Sequence, residues 1–147
     1  MSQDVLIVDD SVTMRQMVKK TMRMAGLDVG EVFEASNGIE ALAQLADHPV
    51  AVIMLDINMP TMNGIQLLTR MKQNNRLKDI PIVIASTEGS RERIEQMEEF
   101  GAFGYVRKPF QPEQLRDVLK PLLGVKGGNG VTEDSDTQDS DTQNDIF

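Results

Sequence analysis

Polar side chains suited to phosphate or metal chemistry follow four short apolar runs of the sequence. They are Asp9 and Asp10 after the first run, Asp56 after the third, Ser86 after the fourth and Lys108 after the fifth. A single residue of this kind often only begins a turn. The carboxyl ends of parallel strands, however, share one edge of a sheet, which is where open α/β sheets bind ligands. Four such strand ends therefore predict one shared crevice.

The three carboxylates define the chemistry predicted for this crevice. If the first and third strands are neighbours, Asp9, Asp10 and Asp56 come together and repel one another unless a cation neutralises them. Magnesium suits such a site, because it binds one or two carboxylates together with waters and phosphate oxygens. A carboxylate beside a cation, the Lys108 ammonium and the Ser86 hydroxyl is arranged to attack phosphorus and form an aspartyl phosphate.

Short apolar runs alternate with segments of helical period along the first 124 residues. The predicted strands are Val5–Val8, Glu31–Ala35, Ala51–Leu55, Ile80–Ala85 and Phe103–Val106. The predicted apolar stripes are Met14, Met17, Val18, Thr21 and Met22 in the first helix, Ile39, Leu42 and Leu45 in the second, Ile65, Leu68 and Met71 in the third, and Leu115, Val118, Leu119, Leu122 and Leu123 in the fifth. Ser11 is the predicted N-cap of the first helix, and the fourth helix is expected over about 90–100. This alternation predicts an α/β fold with a parallel sheet covered on both faces.

Composition narrows the class of protein. The 147 residues suffice for one domain with a real core, and the absence of cysteine excludes disulfides and thiolate chemistry. No apolar run approaches bilayer length, and the first residues lack the basic flank of a secretory signal. We therefore expect a cytoplasmic protein without a membrane contact. The net charge is −8, and no basic face that would bind nucleic acid is apparent.

The excess acidity lies in the last residues of the chain. Residues 125–147 hold six acidic residues and one lysine, and the sequence Asp-Ser-Asp-Thr-Gln occurs at 134–138 and again at 139–143. Such a composition cannot build a hydrophobic core. The sequence thus predicts a folded domain over 1–124 and a flexible, acidic, low-complexity tail over 125–147.

Five segments, in the same order, resemble the receiver domain of two-component response regulators, and most of all its stand-alone chemotaxis members. These segments are Val8–Ser11, Thr13–Arg15, Leu55–Gly64, Ala85–Glu88 and Gly104–Phe110. The resemblance extends over residues 4 to about 123. It implies a flavodoxin-like, doubly wound sheet of five parallel strands in the order 2-1-3-4-5, with five helices.

The resemblance also implies how the crevice works. Asp56 would accept the phosphoryl group, and Mg²⁺ (or Mn²⁺) would be bound by Asp10, by Asp56 and by the backbone carbonyl of Asn58. Asp9 would hold the metal through water. These four residues would form the metal site.

Further residues receive roles from the same resemblance. Ser86 and Lys108 would contact phosphoryl oxygens, and Ser86 and Tyr105 would form a conformational switch. The residues expected to tune hydrolysis are Asn58 and Glu88. Pro109 would follow a cis peptide bond.

The expected partners are a histidine kinase, a downstream target such as a flagellar switch component, and a phosphatase, with the protein itself a monomer or weak dimer. A phosphorelay shuttle is the alternative within the family. An enzyme is less expected, because an aspartate-nucleophile phosphohydrolase would want a second acid where Asn58 stands. A flavin- or nucleotide-binding protein of the same fold is the other alternative, but the Gly-rich loops that bind phosphate are absent. A DNA-binding regulator is not expected either, because nothing foldable follows residue 124. The segment Thr142–Phe147 loosely resembles the motif of flagellar switch proteins, so the tail is either a solubilising extension or a competitor of the target.

Overall fold

A computed structural model describes residues 3–57, 62–87 and 91–125 of the chain. Strands and helices alternate along them: β1 Val5–Val8, α1 Val12–Met24, β2 Val32–Ala35, α2 Gly38–Asp47, β3 Val52–Leu55, α3 Gly64–Lys72, β4 Ile82–Ser86, α4 Arg91–Glu99, β5 Gly104–Arg107 and α5 Pro112–Leu123. The strands are all parallel, in the order β2-β1-β3-β4-β5. This confirms the predicted fold class and strand order.

The sheet is buried on both faces, which explains the unbroken apolar runs of its central strands. Every residue of β1, β3 and β4 is buried. Because side chains alternate along a strand, Leu6 and Val8 pack on one face with the buried residues of α2, α3 and α4. Val5 and Ile7 pack on the other face with those of α1 and α5. The two hydrophobic layers hold the carboxyl ends of the strands at one edge.

Polar N-caps fix where several helices begin. The predicted cap is confirmed, since Ser11 Oγ accepts the amide N–H of Met14 at 3.1 Å. Asn37 caps α2 by accepting the amide N–H of Glu40 at 2.9 Å. Asn63 caps α3 in a reciprocal pair with Gln66, each side chain accepting the other's backbone N–H.

Two helical positions predicted to face the core lie outside it. Met17 is 52% exposed and Ile39 is 55% exposed. In α2 the buried stripe runs through Ala41 and Leu45, and Ile39 lies about 200° around the helix from Ala41 at 100° per residue. The prediction was wrong in α2 because it assigned the large apolar Ile39 to the core and overlooked the small Ala41, which packs there instead.

The ends of the domain also differ slightly from the sequence prediction. β4 begins at Ile82, two residues later than expected. Pro81, the residue before this strand, accepts the amide N–H of Ile53 through its carbonyl oxygen. Val125, the first residue assigned to the tail, forms an antiparallel bridge with Leu27. The rest of the predicted tail lies outside the described residues. Within the described ranges, the helices are too short or too polar to cross a bilayer.

Candidate functional site

Asp9 is a buried carboxylate whose polar groups are all engaged. It follows β1 directly, and its amide N–H donates to the carbonyl of Ala35 at 3.0 Å. Its Oδ1 accepts the amide N–H of Ser11 at 2.9 Å, and its Oδ2 accepts from Nζ of Lys108 at 2.6 Å. A carboxylate that is only 4% exposed needs such partners, because an unpaired buried charge is strongly destabilising.

Three carboxylates meet at the carboxyl edge of the sheet. The amide N–H of Asp56, the residue after β3, donates to the carbonyl of Val8 at 2.9 Å, which fixes β3 beside β1. Carboxylate oxygens of Asp9, Asp10 and Asp56 all lie within 4.8 Å of one another. Asp10 is exposed, whereas Asp9 and Asp56 lie deeper. The structure therefore brings together the three acidic residues that the sequence analysis singled out.

Lys108 supplies a cation on the protein side of this cluster. Its ammonium lies 2.6 Å from Oδ2 of Asp9 and 3.8 Å from Oδ2 of Asp56, and its side chain is 7% exposed. Its amide N–H donates to the carbonyl of Ser86 at 2.8 Å, which ties the end of β5 to the end of β4. The peptide bond from Lys108 to Pro109 is cis, as the resemblance implied.

These residues line an open crevice of about 200 Å³, which we call the acidic crevice. Its lining residues are Asp9, Asp10, Ser11, Met14, Asp56, Thr87 and Lys108. Ser86, the predicted phosphoryl contact, is fully buried at the end of β4, and its neighbour Thr87 lines the crevice. Sequence reasoning did not single out Met14 or Thr87 as lining residues. Thr87 could have been found, since it follows the fourth strand as directly as Ser86 does.

Residues 57 and 62–64, on either side of residues 58–61, make close backbone contacts. The amide N–H of Gly64 donates to the carbonyl of Ile57 at 2.9 Å, and a Cβ at Gly64 would lie 2.7 Å from Cα of Ile57. The carbonyl of Met62, which has a positive φ of 51°, accepts the amide N–H of Gly38 at 3.1 Å. Only glycine fits at position 64, because of its close approach to the backbone of Asp56 and Ile57. The predicted hydrolysis-tuning residues Asn58 and Glu88 lie outside the described residues.

Tyr105 lies on β5, opposite Ile84 of β4 in the parallel register. It is partly buried and packs against the hydrophobic layer that includes Ile84 and Met97 of α4. Ser86 stands two residues after Ile84 on the same strand, so it points to the same face of the sheet. The two predicted switch residues therefore lie on the same face of the sheet.

A group of charges on the β2 side borders the crevice. Glu34 accepts from Nζ of Lys19 at 2.7 Å and from Nε of Arg15 at 2.8 Å. The Lys19 hydrogen bond, opposed by burial and supported by the Arg15 hydrogen bond, holds the pKa of Glu34 below its usual value. The backbone and hydroxyl of Ser36 both donate to Glu40 and lower the pKa of that carboxyl in the same way.

The donor set of the acidic crevice fits a hard divalent cation. All three acidic side chains offer oxygen ligands, and neither cysteine nor histidine is among the lining residues. Such oxygen donors suit Mg²⁺, Ca²⁺ or Mn²⁺ and are poor ligands for soft metals. The arrangement is an acidic crevice whose donors suit a hard divalent cation, with a buried lysine on one side.

Comparison with known proteins agrees with this geometry. Residues 5–120 match the family described as the response regulator receiver domain. The chain is 37% identical over 129 residues to a chemotaxis protein CheY homolog of Campylobacter jejuni strain 81-176, covering 87% of this chain and 98% of that protein. It is 39% identical over 121 residues to the chemotaxis protein CheY1 of Helicobacter pylori strain J99, covering 82% and 96% respectively. The solved structure of Vibrio cholerae CheY4 is similar with a TM-score of 0.74 at 38% identity, covering 84% of this chain and all of that one. The chain therefore belongs to the response-regulator receiver family and is a CheY-like chemotaxis receiver.

Proposed function

We propose that Asp56 accepts a phosphoryl group from a histidine kinase and that the protein signals by changing what it binds. The observation that carries this proposal is the meeting of Asp9, Asp10 and Asp56 within 4.8 Å beside the buried ammonium of Lys108. Within the described residues, it is the only group of three or more acidic side chains whose oxygens lie close enough together to hold a metal ion. Family membership supports a signalling role, and the proposal includes no separate substrate that is turned over.

Asp10, Asp56 and the backbone carbonyl of Asn58 would hold Mg²⁺, with Asp9 one water away. The indirect role of Asp9 is supported by its hydrogen bonds, because Ser11 and Lys108 already occupy its two carboxylate oxygens. A bound Mg²⁺ would neutralise the crevice and bind oxygens of the transferred group. Mn²⁺ offers the same preference for oxygen ligands and would substitute for it.

In the transfer step, a carboxylate oxygen of Asp56 attacks phosphorus and forms a new P–O bond. The P–N bond of the kinase phosphohistidine breaks, and its electron pair leaves with the imidazole, which takes a proton from solvent. Lys108 lies 3.8 Å from Oδ2 of Asp56, near enough to bind an oxygen of the new phosphoryl group. The hydroxyl of Ser86 would bind another. Both contacts would persist in the aspartyl phosphate.

The output would be a shift between two packings of the layer around Tyr105. When Ser86 moves toward the phosphoryl group, space opens for the Tyr105 ring to turn inward, and the surface of α4, β5 and α5 changes. Phe103, which is 50% exposed just before β5, lies on this surface and offers an apolar anchor. A flagellar switch component is the proposed target, with a relay shuttle as the second candidate.

The lifetime of the phosphoryl group would be set by hydrolysis within the same crevice, tuned by Asn58 and Glu88 and accelerated by a phosphatase. We propose that the protein works in the cytoplasm as a monomer or weak dimer.

Intact mass spectrometry after incubation with acetyl phosphate tests the proposal. Wild type should gain one phosphoryl group in the presence of Mg²⁺ and none after chelation of the metal. Asp56→Asn should gain none, while Asp117→Asn, an exposed change on α5, should behave as wild type. An unmodified wild type, or equal modification of Asp56→Asn, would contradict the proposed phosphoacceptor.

A further inference from the structure

Arg15 links the second strand to the backbone of the acidic crevice. Its Nη1 donates to the carbonyl oxygen of Asp9 at 2.6 Å, and its Nε donates to Oε1 of Glu34 at 2.8 Å. The Arg15 side chain is only 13% exposed. We propose that Arg15, anchored by Glu34, is a positioning residue that orients Asp10 for metal binding. This inference rests on the proposed metal site.

The physical basis is the planarity of the peptide unit. The carbonyl of Asp9 belongs to the peptide group that joins Asp9 to Asp10, so fixing its oxygen fixes the plane that carries the nitrogen and Cα of Asp10. In the described parts of the chain, no hydrogen bond or ion pair holds the Asp10 carboxylate itself. The direction of this exposed side chain therefore depends on the backbone before it, and Arg15 holds that backbone.

Glu34 gives the arginine a firm anchor. It pairs with Ile7 in the ladder between β1 and β2, and its backbone carbonyl accepts from Nε2 of Gln44 at 3.2 Å. Its second carboxylate oxygen accepts from Nζ of Lys19 at 2.7 Å. Lys19 thus contacts the same anchor as Arg15, but within the described residues its side chain bonds Glu34 and not the backbone of Asp9. It is a matched control.

Positioning and simple electrostatics predict opposite effects when the arginine is removed. Loss of a positive charge near the acidic crevice would strengthen the binding of a divalent cation by Coulomb's law. Loss of a positioning contact would weaken it, and substitutions of residues that orient metal ligands commonly cost 10- to 100-fold in affinity. The sign of the change therefore separates the two causes.

The test is calorimetric titration of Mg²⁺ into the unphosphorylated full chain. Arg15→Gln should bind Mg²⁺ about 10-fold more weakly than wild type. Arg15→Lys, which keeps the charge but not the two-pronged donor, should also bind more weakly. Lys19→Gln should stay within about twofold of wild type, because it removes a partly exposed ion pair and leaves the hydrogen bond from Arg15 to Asp9 in place.

Thermal unfolding followed by circular dichroism shows which variants are folded. If Arg15→Gln does not fold, the Mg²⁺ affinity of Arg15→Lys is compared with that of wild type instead. Unchanged or tighter Mg²⁺ binding by the folded Arg15 variants would overturn the inference, as would an equal loss in Lys19→Gln. These outcomes leave the proposed function intact, provided that wild type binds the metal. A wild type that binds no Mg²⁺ would overturn both the proposed metal site and the inference.

Discussion

The repulsion among the carboxylates can be measured as a change in the free energy of unfolding. Asp10 is the member to substitute, because it is exposed and makes no hydrogen bond within the described residues. Its carboxylate lies within 4.8 Å of two others, each of which repels it by about 1 kcal/mol at the dielectric constant of water and by more in a partly buried crevice. The dipole of α1 favours a negative charge near its N-terminus by about 0.3–1 kcal/mol. The two repulsions together exceed the dipole effect even after the Lys108 ammonium offsets part of them, so Asp10→Asn should raise the free energy of unfolding by up to about 1 kcal/mol without metal.

In the presence of Mg²⁺, wild type should instead be more stable than Asp10→Asn. At a concentration 100 times its dissociation constant, Mg²⁺ stabilises a protein that binds it only when folded by about 2.7 kcal/mol. Wild type should gain that amount, while Asp10→Asn, which lacks a metal ligand, should gain much less. Urea unfolding curves in the presence of EDTA and of Mg²⁺ give the four free energies needed.

Asp117→Asn is the control, because this exposed carboxylate on α5 lies away from the crevice. It should change the free energy of unfolding by less than about 0.5 kcal/mol in either condition. A loss of stability of Asp10→Asn in EDTA, or a gain from Mg²⁺ equal to that of wild type, would refute the electrostatic reasoning.

Two further changes test the supports of the crevice. Gly64→Ala would place a Cβ 2.7 Å from Cα of Ile57, so it should lower the free energy of unfolding by about 1–3 kcal/mol and slow phosphorylation of Asp56. Asp117→Asn, the exposed change on α5, is the control, and wild-type stability and rate of Gly64→Ala would contradict the close approach. The pKa of Glu34 is lower in the folded state than its unfolded value of about 4.5, so its ion pairs stabilise the fold at pH values above 4.5. This stabilisation is lost as the pH falls through the lower pKa of the folded state. Glu34→Gln should therefore be less stable than wild type at pH 7, by at most about 1 kcal/mol because the group is partly exposed, and the difference should shrink toward pH 3 in urea unfolding; a constant difference would contradict this.

The positions of the acidic residues could be predicted because they depend on topology alone. Asp9 and Asp10 end one apolar run and Asp56 ends another, and parallel strands place their carboxyl ends at one edge. No detail of side-chain packing enters that argument. Lys108 is predicted for the same reason, although 99 residues separate it from Asp9.

The hydrogen bonds that hold these residues could not be predicted in the same way. The bond from Arg15 to the carbonyl of Asp9 depends on the rotamer of a long side chain and on Glu34, which a strand pattern does not specify. The prediction of which side chains face the core was wrong in α2, where Ala41 is buried and Ile39, on the opposite side of the helix, is exposed. Such choices are made by tertiary packing, and the hydrophobic pattern only restricts them.

Asp56 is the residue proposed to carry the phosphoryl group. Reduction of the phosphorylated protein with borohydride converts an acyl phosphate to an alcohol, so the modified aspartate becomes homoserine, which peptide mass spectrometry locates. Homoserine is expected at position 56, only in samples treated with both phosphodonor and Mg²⁺. Homoserine at position 9 or 10, or none anywhere in a protein that has gained phosphate, would contradict it.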